Sequence, residues 1–511
     1  MKKIAHLLFG RFALVAVSII VQFAWLFTVF VQLSYKSTYV NLFIRMIAVI
    51  VVLRIVNRWN NPINKLSWTF IILLSPMFGL LLYSIFGRAN LTKGNQKKMD
   101  RAIREVSKYL YQTAEVTQGI QGEDKTAYRQ SKYINDWAGF PLYKNTETMY
   151  YKSGEEMFPA MLEDLKSAKH FIFLEFFIID NGYMFGEIEK ILEEKVKEGV
   201  DVRLIYDDVG CITTLPANYY KTLQEKGIKC AAFNPFKPVM SVIMNNRDHR
   251  KIVVVDGKVG YTGGINLADE YINKVERFGY WKDTGVRLEG EAVWSLTAMF
   301  LQMWTYIVGP SKDFTKYMPA VYQTKPFVSD GYVQPYGDSP LDHENVAENI
   351  YMNIINNAND YVYIFTPYLI LDHEMMTALC NAAKRGVDIR IVTPGIPDKK
   401  MVYLITQSYY PPLLEAGVKI YQYRPGFIHA KSFVCDDKIA TVGSVNLDFR
   451  SLYLHFECGV YMYKTKAVMQ IKEDCREVFA ASDEITLYFC KKTNFVVRTV
   501  QGVMRLFAPL L

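Results

Sequence analysis

The stretch HRKIVVVDGKVGYTGGIN at residues 249–266 recurs as HAKSFVCDDKIATVGSVN at residues 429–446, and this pair decides the fold. In each copy the first residue is His, with Lys at +2, Asp at +7, Gly at +14 and Asn at +17. Each copy also contains a β-branched or aromatic run that ends in turn residues, which predicts a strand followed by a turn. Residues two apart on a strand point to the same face, so each His is expected beside its Lys. Matched positions in two copies indicate an internal repeat with one half-site in each copy.

The repeat extends upstream of both motifs. Residues 157–206 have the pattern helix, strand, helix, strand, and residues 346–392 have the same pattern again. The last strand follows Gly199-Val200-Asp201 in the first block and Gly386-Val387-Asp388 in the second. Strands that alternate with helices predict an α/β fold of mixed sheets flanked by helices. Two similar halves predict a pseudo-twofold bilobal unit in which the two motifs face each other across the interface.

Length and composition limit the class of protein. With 511 residues, half of them apolar, the chain can hold two or three domains with a large core. The net charge of +8 favours anionic partners such as phosphates, anionic lipid or nucleic acid. The seven Cys are dispersed without a C-x-x-C pair, which argues against a disulfide framework and for a reducing compartment.

The N-terminal region has two uncharged apolar runs that are long enough to cross a bilayer, residues 12–33 and residues 66–86. The first run is long for a signal peptide and no Ala-x-Ala site follows it, so we expect a retained anchor. Residues 39–56 are also apolar but contain Arg45 and Arg54, which leaves either a third span or a helix in the interface. The sequence therefore predicts a multi-pass region of two or three helices; a buried soluble hairpin is the alternative.

Two further segments have a basic, membrane-type composition. Residues 88–108 contain seven basic and two acidic residues, which is typical of a contact with anionic headgroups on the cytoplasmic side, or of a solvated helix face. Residues 494–511 are apolar but contain Arg498 and Arg505. A tail of this kind lies on a membrane or packs on the domain.

The repeats and the apolar and basic segments divide the chain into five parts. They are a transmembrane region at 1–90, a basic juxtamembrane linker at 91–146, a first repeat at 147–311, an inter-repeat linker at 312–340, and a second repeat with the amphipathic tail at 341–511.

The chemistry is expected at two histidines. Only seven His occur, and His249 and His429 occupy equivalent repeat positions. Imidazole titrates near neutrality, so one ring can be a neutral nucleophile while the other is a protonated acid. In-line attack at a phosphodiester phosphorus needs this pair on opposite sides and forms a phosphohistidine. Ammonium and amide donors would offset the charge on the phosphate oxygens, and the candidates are Lys251, Lys431, Asn266 and Asn446. This set predicts phosphoryl transfer without a metal or a cofactor.

Each His also needs a carboxylate that orients its second ring nitrogen. Asp283 and Glu457 are the candidates, since each lies two residues before a Gly-Val pair at an equivalent repeat position. Asp256 and Asp436 are catalytic candidates by their place in the motif. Their turn chemistry favours a role in holding the geometry of strand and turn.

Three other acidic features carry less weight. Asp342-His343-Glu344 and Asp372-His373-Glu374 resemble metal ligands, but each begins a helical stretch, where Asp is a capping residue. Glu175 interrupts the apolar run at residues 171–177, which predicts a core strand. If that strand points at the site, Glu175 is carried there.

The paired motif resembles the HKD motif of the phospholipase D superfamily. Other segments resemble bacterial cardiolipin synthases, namely Asn61-Pro62, Trp68, residues 79–83, residues 86–88, residues 262–271 and residues 509–511. The resemblance covers nearly the whole chain. It implies a bilobal fold and a ping-pong reaction in which phosphatidyl passes from one phosphatidylglycerol through a His to a second, releasing glycerol. It also implies that His249 is the nucleophile and His429 the acid, in a membrane enzyme. The basic residues 88–108 favour a catalytic part on the cytoplasmic face of the cell membrane, while Lys2, Lys3, Arg58 and Lys65 leave the orientation open.

The motif leaves the acceptor open, because water or another alcohol attacks the same phosphohistidine and would make the chain a phospholipase D or a transphosphatidylase. A nuclease of the same superfamily and an inactive membrane scaffold are the more distant alternatives. A membrane anchor of about ninety residues disfavours nucleic acid as a partner. Two complete motifs disfavour the scaffold, and the oligomeric state stays open.

Overall fold

The computed structural model describes residues 24, 28, 38–58, 61–87, 93–236, 245–310, 313–322, 327–342 and 344–508. Ala24 and Thr28 are helical, and the remainder of the predicted span at residues 12–33 lies outside the described residues.

Strands are numbered in chain order over the described residues. They are β1 Thr146–Tyr151, β2 Phe171–Phe176, β3 Asp201–Asp207, β4 Lys229–Phe233, β5 Arg247–Asp248, β6 Lys251–Val255, β7 Val259–Gly263, β8 Tyr280–Lys282, β9 Gly285–Gly290, β10 Tyr332–Asp338, β11 Tyr361–Phe365, β12 Asp388–Pro394, β13 Lys419–Tyr423, β14 Gly426–Ile428, β15 Ser432–Cys435, β16 Ile439–Gly443, β17 His455–Tyr463 and β18 Ser482–Ile485.

The helices are named by their bounds. Before the first repeat they are Thr38–Val56, Pro62–Leu74, Pro76–Phe86, Lys93–Ser107, Ala114–Glu123, Lys125–Tyr133 and a π-helical turn Ile134–Ala138. In the first repeat they are Gly154–Ser167, Tyr183–Lys197, Tyr219–Glu225, the 3₁₀ turn Asp269–Ile272 and Val293–Val308, followed by the 3₁₀ turn Thr315–Tyr317 and Pro319–Tyr322. In the second repeat they are Val346–Asn357, His373–Lys384, Lys400–Ser408, Tyr410–Glu415, Phe449–Tyr453, Lys466–Ala480, Leu487–Lys491 and Phe495–Leu506.

Two mixed sheets of matching topology form the catalytic part. The first has the order β1-β9-β7-β6-β2-β3-β4, and the second has the order β10-β17-β16-β15-β11-β12-β13 with β18 at its far edge. In each, three parallel strands continue into antiparallel ones, as in the parallel β2–β3 and antiparallel β2–β6 pairs. The matched orders confirm the α/β fold with two tandem repeats.

One buried helix contacts both sheets. The helix Val293–Val308 is mostly apolar, and residues 293–305 are all buried. It crosses the first sheet, touches β10 of the second and packs on the helix Lys93–Ser107. A helix of this kind belongs inside a large protein or a membrane, and here it joins the two repeats.

The predicted linkers contain regular structure. Residues 332–338, placed in the inter-repeat linker, form β10 and pair antiparallel with β17. Pro335 and Gly337 obscured this strand, but an edge strand tolerates both because one side of its backbone needs no partner. The predicted juxtamembrane linker folds mainly into three helices and a π-helical turn, and β1 begins at Thr146.

The predicted span at residues 66–86 is wrong. The chain breaks at Ser75 and Pro76, and the helices Pro62–Leu74 and Pro76–Phe86 fold back on each other. The rings of Trp68 and Tyr83 are 5.3 Å apart, whereas one straight helix would separate them by about 22 Å. A Cβ on Gly79 would lie 2.5 Å from Cα of Ile72, so only Gly permits this approach.

The hairpin is too short to cross a bilayer. Its helices of 13 and 11 residues measure about 20 and 16 Å, against a hydrocarbon core of about 30 Å. In the described part of the chain, Thr38–Val56 is the helix that is long and apolar enough to span a membrane.

Candidate active site

The two motif histidines are held at the junction of the repeats by reciprocal strand pairs. β5 precedes His249 and pairs parallel with β17, while β14 precedes His429 and pairs parallel with β8. The backbone N–H of His249 donates to Phe456 O at 2.9 Å, and that of His429 donates to Lys282 O at 2.7 Å. Each His is therefore fixed by the backbone of the other repeat.

Each His is also oriented by a carboxylate of the other repeat. Nδ1 of His249 lies 2.9 Å from Oε1 of Glu457, and Nδ1 of His429 lies 2.6 Å from Oδ2 of Asp283. Both carboxylates are fully buried. A proton on Nδ1 that is shared with a carboxylate leaves Nε2 as the reactive nitrogen. The residues predicted as orienting carboxylates are thus brought to the histidines, and the pairing crosses between the halves.

The two carboxylates are supported differently. Ser444 Oγ donates to Glu457 Oε2, whereas Asp283 Oδ1 accepts the backbone N–H of Thr284 at 2.8 Å. The position that matches Ser444 in the first repeat is Gly264, where a Cβ would lie 2.1 Å from Asp283 Oδ1. Gly264 therefore leaves room for the carboxylate of Asp283, whereas Ser444 donates a hydrogen bond to the carboxylate of Glu457.

Both motif lysines are buried beside their histidines. Lys251 Nζ donates to the backbone oxygen of His249, and Lys431 Nζ donates to that of His429. Burial lowers the pKa of Lys251 to about 8 and that of Lys431 to about 7. A bound anion would restore the charged form of both, because an opposite charge nearby favours the ammonium.

The two half-sites share one electrostatic environment. Burial lowers the pKa of His429 to about 4 and holds that of His249 well below its usual range. The charges of Lys251, Lys431 and the opposite His lower the pKa of His249 further. Without an anion both rings are therefore neutral at pH 7, and a bound phosphate has to raise the pKa of the ring that acts as the acid.

The carboxylates differ in charge. The pKa of Asp283 is lowered because the charges of His429 and Lys431 outweigh its burial. Burial raises the pKa of Glu457 well above its usual value. An ionised Asp283 stabilises an imidazolium at His429, while His249 has no equal support.

The motif asparagines are bound into neighbouring loops. Asn266 Oδ1 accepts the N–H of Ile178 at 3.0 Å, and its Nδ2 donates to Tyr271 Oη at 2.8 Å. Asn446 is buried and its side chain donates to Asp448. Their expected contact with phosphate oxygens stays a prediction.

Asp256 and Asp436 lie at the far ends of β6 and β15, away from the histidines. Each carboxylate accepts backbone N–H groups at 2.8–3.0 Å, from residues 169–171 and 359–361 respectively. Each Asp has a positive φ of about 50° at its turn. These contacts hold the strand and turn geometry, and the structure does not bring either residue to the pair.

Glu175 lies under the first half-site on the opposite face of the sheet. It is fully buried, and its Oε1 is 3.5 Å from Nε of Arg250, the middle residue of the motif. Asp248 Oδ1 lies 3.7 Å from the same Nε. In the second repeat the matching residues of this trio are Phe365, Ile428 and Ala430. The charged trio is thus a feature of the first repeat alone.

The acid-His-acid segments were predicted as caps, and the helix His373–Lys384 agrees. Asp372 Oδ1 accepts the N–H of Met375 at 2.9 Å. His343 lies outside the described residues, although Asp342 Oδ1 accepts the N–H of Glu344.

Sequence reasoning missed His455. Its ring centroid lies 5.6 Å from that of His249, and neither ring nitrogen has a hydrogen-bond partner in the described structure. Trp281 occupies the matching position in the first repeat, 5.5 Å from His429. The signal was available, because both residues lie two positions before the orienting carboxylate.

One group of side chains at the site could hold a metal ion. His249, His455 and Glu457 offer one ligand atom each within 4.8 Å of one another. Two His and one Glu form a donor set that suits zinc. The hydrogen bond between His249 and Glu457 already uses two of these residues.

A buried ion pair joins the repeats beside Asp283. Lys282 Nζ lies 2.7 Å from Asp474 Oδ1, and Tyr150 Oη donates to the same carboxylate. Asp474→Asn should destabilise the protein by about 3–5 kcal/mol, because it leaves the Lys282 ammonium buried and uncompensated. The measurement is the Tm of the detergent-solubilised protein.

Glu477→Gln is the matched control for that variant. Its partner Lys152 is 2.9 Å away, but both side chains are about half exposed, and such pairs contribute little. An equal change in Tm for the two variants would mean that the buried pair contributes no more to stability than the exposed pair.

Comparison with known proteins agrees with this geometry. The family model described as cardiolipin synthase, phospholipase D-like domain, matches residues 161–304 and 351–479, and the phospholipase D-nuclease N-terminal model matches residues 46–88. An uncharacterized protein of Streptococcus mutans is 47% identical over 464 residues, 90% of this chain and 99% of that protein. The cardiolipin synthase of Alkalihalophilus pseudofirmus is 35% identical over 457 residues, 88% of this chain and 90% of that protein.

A solved structure has the same fold. The phosphatidylserine synthase of Haemophilus influenzae superposes with a TM-score of 0.56, covering 76% of this chain and 98% of that chain. The two sequences are 14% identical, so this likeness concerns the fold alone.

Proposed function

The chain belongs to the phospholipase D-like cardiolipin synthase family, and from this premise we propose that it is a phosphatidyltransferase that makes cardiolipin from two molecules of phosphatidylglycerol. The observation that carries the proposal is the reciprocal pairing of His249 with Glu457 and of His429 with Asp283. Two oriented imidazoles with two buried ammonium groups between the repeats suit a phosphodiester and need no redox chemistry.

In the first step Nε2 of His249 attacks the phosphorus of one phosphatidylglycerol. A P–N bond forms as the P–O bond to the headgroup glycerol breaks, and His429 gives its Nε2 proton to the leaving oxygen. The products of this step are free glycerol and a phosphatidyl group on His249. Lys251 and Lys431 offset the charge on the non-bridging oxygens.

In the second step a headgroup hydroxyl of another phosphatidylglycerol attacks the same phosphorus. His429, now neutral, takes the hydroxyl proton, the new P–O bond forms and the P–N bond breaks. Cardiolipin leaves and both histidines return to their starting states. One headgroup glycerol is released, and the other becomes the bridge of cardiolipin. The reaction is reversible because one phosphodiester replaces another.

The electrostatics support this division of roles. The lowered pKa of Asp283 keeps a negative charge next to His429, which favours the acid at that position. The low pKa of His249 and the raised pKa of Glu457 favour a neutral nucleophile on the other side.

We also propose a multi-pass membrane protein with its catalytic part on the cytoplasmic face and anionic lipid as its partner. Three observations support this. The helix Thr38–Val56 is apolar and long enough to span a membrane, and residues 88–108 are basic. The relative from Alkalihalophilus pseudofirmus is named a cardiolipin synthase, and cardiolipin is a membrane phospholipid. The corrected hairpin leaves residues 12–33 and 38–56 as the candidate spans.

The product test uses detergent-solubilised protein and phosphatidylglycerol, followed by lipid chromatography. Cardiolipin and glycerol in equal amounts are expected. Phosphatidic acid alone would identify a phospholipase D, and nicked DNA without a lipid product would identify a nuclease.

Activity should persist in a chelator. The proposed steps use protonation and ammonium groups, so EDTA is expected to change the initial rate by less than about twofold. The measurement is the rate of glycerol release with and without EDTA. A loss of most activity that added Zn²⁺ or Mg²⁺ restores would contradict the metal-free mechanism.

The specificity constant should fall on the alkaline side of neutrality. Buried Lys431 and Lys251 have lowered pKa values of about 7 and about 8, so raising the pH removes the ammonium charges that attract the anionic substrate. We expect kcat/KM to decline between pH 7 and pH 9. Bound substrate raises both pKa values, so kcat should decline less. A kcat/KM that stays flat to pH 9 would contradict this.

A further inference from the structure

The hairpin formed by Pro62–Leu74 and Pro76–Phe86 is joined to the C-terminal helix Phe495–Leu506. Ser67 Oγ donates to Leu506 O at 2.5 Å, and the helices pack on each other. The C-terminal helix is fixed to the second repeat as well, because Gln501 Nε2 donates to Leu404 O at 3.0 Å and Arg505 lies over the ring of Tyr409. Hairpin, C-terminal helix and catalytic part therefore form one packed unit.

Within the described part of the chain, both helices have an apolar stripe that is exposed. Each stripe has the i, i+4, i+7 spacing of one helix face. The six side chains are between 43% and 67% exposed, and we call them the apolar platform: Leu66, Phe70, Leu73, Val496, Val500 and Val503. Packing on the domain, one of the two expectations for the tail, is confirmed by Gln501 and Met504, which are buried. The other face is left for a second partner.

The bilayer is the occupant that the surroundings favour. The hairpin begins six residues after Val56, the end of the helix that can span a membrane, and Trp68 and Ile72 pack with Ala48 and Ile55 of that helix. The hairpin thus packs beside the C-terminal half of that helix and is itself too short to cross a bilayer. Lys65 and Arg498 lie within two residues of platform residues in the sequence, and basic residues beside an apolar face suit lipid phosphates.

The platform is connected to the catalytic site through the start of the hairpin. Asn61, its N-cap, donates from Nδ2 to Asp372 Oδ2 at 3.1 Å and to Tyr453 Oη at 3.1 Å. The Tyr453 hydroxyl also donates to Asp372 Oδ2 and lies 2.9 Å from Glu348 Oε1. Tyr453 is two residues before His455 at the start of β17. β17 carries Glu457, so these contacts join the start of the hairpin to the strand that holds an orienting carboxylate.

We propose that the apolar platform is inserted into one leaflet of the bilayer and holds the catalytic site at the level of the lipid phosphates. The C-terminal helix and the hairpin then act together as a second, non-spanning attachment besides Thr38–Val56. Substrate reaches the histidines without leaving the leaflet completely. The depth of insertion is independent of the proposed function, while its effect on turnover rests on that function.

The depth is measured with a fluorophore attached to the one exposed thiol of Val496→Cys, in vesicles of phosphatidylglycerol and phosphatidylethanolamine with brominated acyl chains. The partly exposed Cys380 and Cys490 are first replaced by Ser. A label at position 469 is the control, since Met469 is 49% exposed on the helix Lys466–Ala480, which packs on β15–β17 and on β1 of the first sheet. We expect quenching at position 496 and none at 469. Equal fluorescence with and without bromine at position 496 would overturn the proposal.

The effect on turnover is measured with Val500→Glu and Met469→Glu. Val500→Glu should lower kcat/KM on vesicle phosphatidylglycerol by about tenfold, because a charge replaces an apolar contact with lipid. Its rate on monomeric short-chain phosphatidylglycerol should stay within about twofold of the parent, and Met469→Glu should resemble the parent on both. An equal loss on both substrates would contradict the platform. Crosslinking of position 496 to a second copy, or to residues 1–37, in place of quenching would assign the stripe to that occupant and overturn the proposal.

If the protein makes no cardiolipin but position 496 is quenched, the proposed function fails and the insertion stands. If cardiolipin forms and position 496 is not quenched, the reverse holds. The two conclusions are therefore separable in the same preparation.

Discussion

Replacing either His249 or His429 by Ala should reduce cardiolipin formation by roughly 10⁴-fold or more, the range seen when one member of a cooperating catalytic set is removed. His249→Ala removes the atom that bonds to phosphorus. His429→Ala removes the proton donor to the leaving glycerol and the base for the second alcohol. Glycerol release and cardiolipin formation, measured on the same folded preparations, test this.

His373→Ala is the control, because His373 is exposed at the start of its helix and belongs to neither motif. It should retain the parent rate. Near-normal turnover in either motif variant would remove the two-histidine mechanism, and a loss in the control would point to a general effect of His removal.

The second large effect is expected at the carboxylates. Asp283→Asn should lower kcat by about 10³–10⁴-fold, as found when the carboxylate that orients a catalytic His is replaced by its amide. The amide favours the wrong tautomer and cannot stabilise the imidazolium at His429. Glu457→Gln should cost less, because burial raises the pKa of Glu457 and its charge contributes less.

Asp256→Asn separates catalysis from stability. Asp256 accepts three backbone N–H groups away from the histidines, so its amide variant should lower the Tm while the folded fraction keeps its kcat. A kcat loss for Asp256→Asn as large as that for Asp283→Asn would show that the carboxylate at the turn has a catalytic role. Equal kcat for Glu457→Gln and Asp283→Asn would contradict the charge difference between the half-sites.

The repeat could be predicted from the sequence because the same residue types stand at equivalent positions in both copies. The spacing from His249 to Asn266 and from His429 to Asn446 predicted matching strands, and the two sheets have the same strand order. Asp283 and Glu457 could be predicted for the same reason. The sequence did not predict which carboxylate binds which His, because that pairing depends on the contacts of β5 with β17 and of β14 with β8 across the interface.

The hairpin was predicted as one membrane span because the hydropathy of a segment does not depend on whether the chain reverses within it. Residues 66–86 are apolar in either arrangement, and Pro76 is tolerated in a membrane helix as well as at a break. The reversal shows in tertiary contacts, the approach of Gly79 to Ile72 and the packing of Trp68 on Tyr83, and hydropathy does not report such contacts. His455 was missed because the matching position holds Trp281, so a search for identical residues in the two repeats did not mark it. The equal spacing of both residues from the orienting carboxylate was the remaining signal.

The most direct test of the central claim is to locate the phosphatidyl group on the enzyme. His429→Ala is incubated with a phosphatidyl substrate whose leaving group, p-nitrophenol, needs no acid, and the trapped protein is digested at alkaline pH for mass spectrometry. We predict a phosphatidyl adduct on the peptide that contains His249, and none in a preparation that also carries His249→Ala. An adduct on another residue, or full p-nitrophenol release by the double variant, would contradict the transfer through His249.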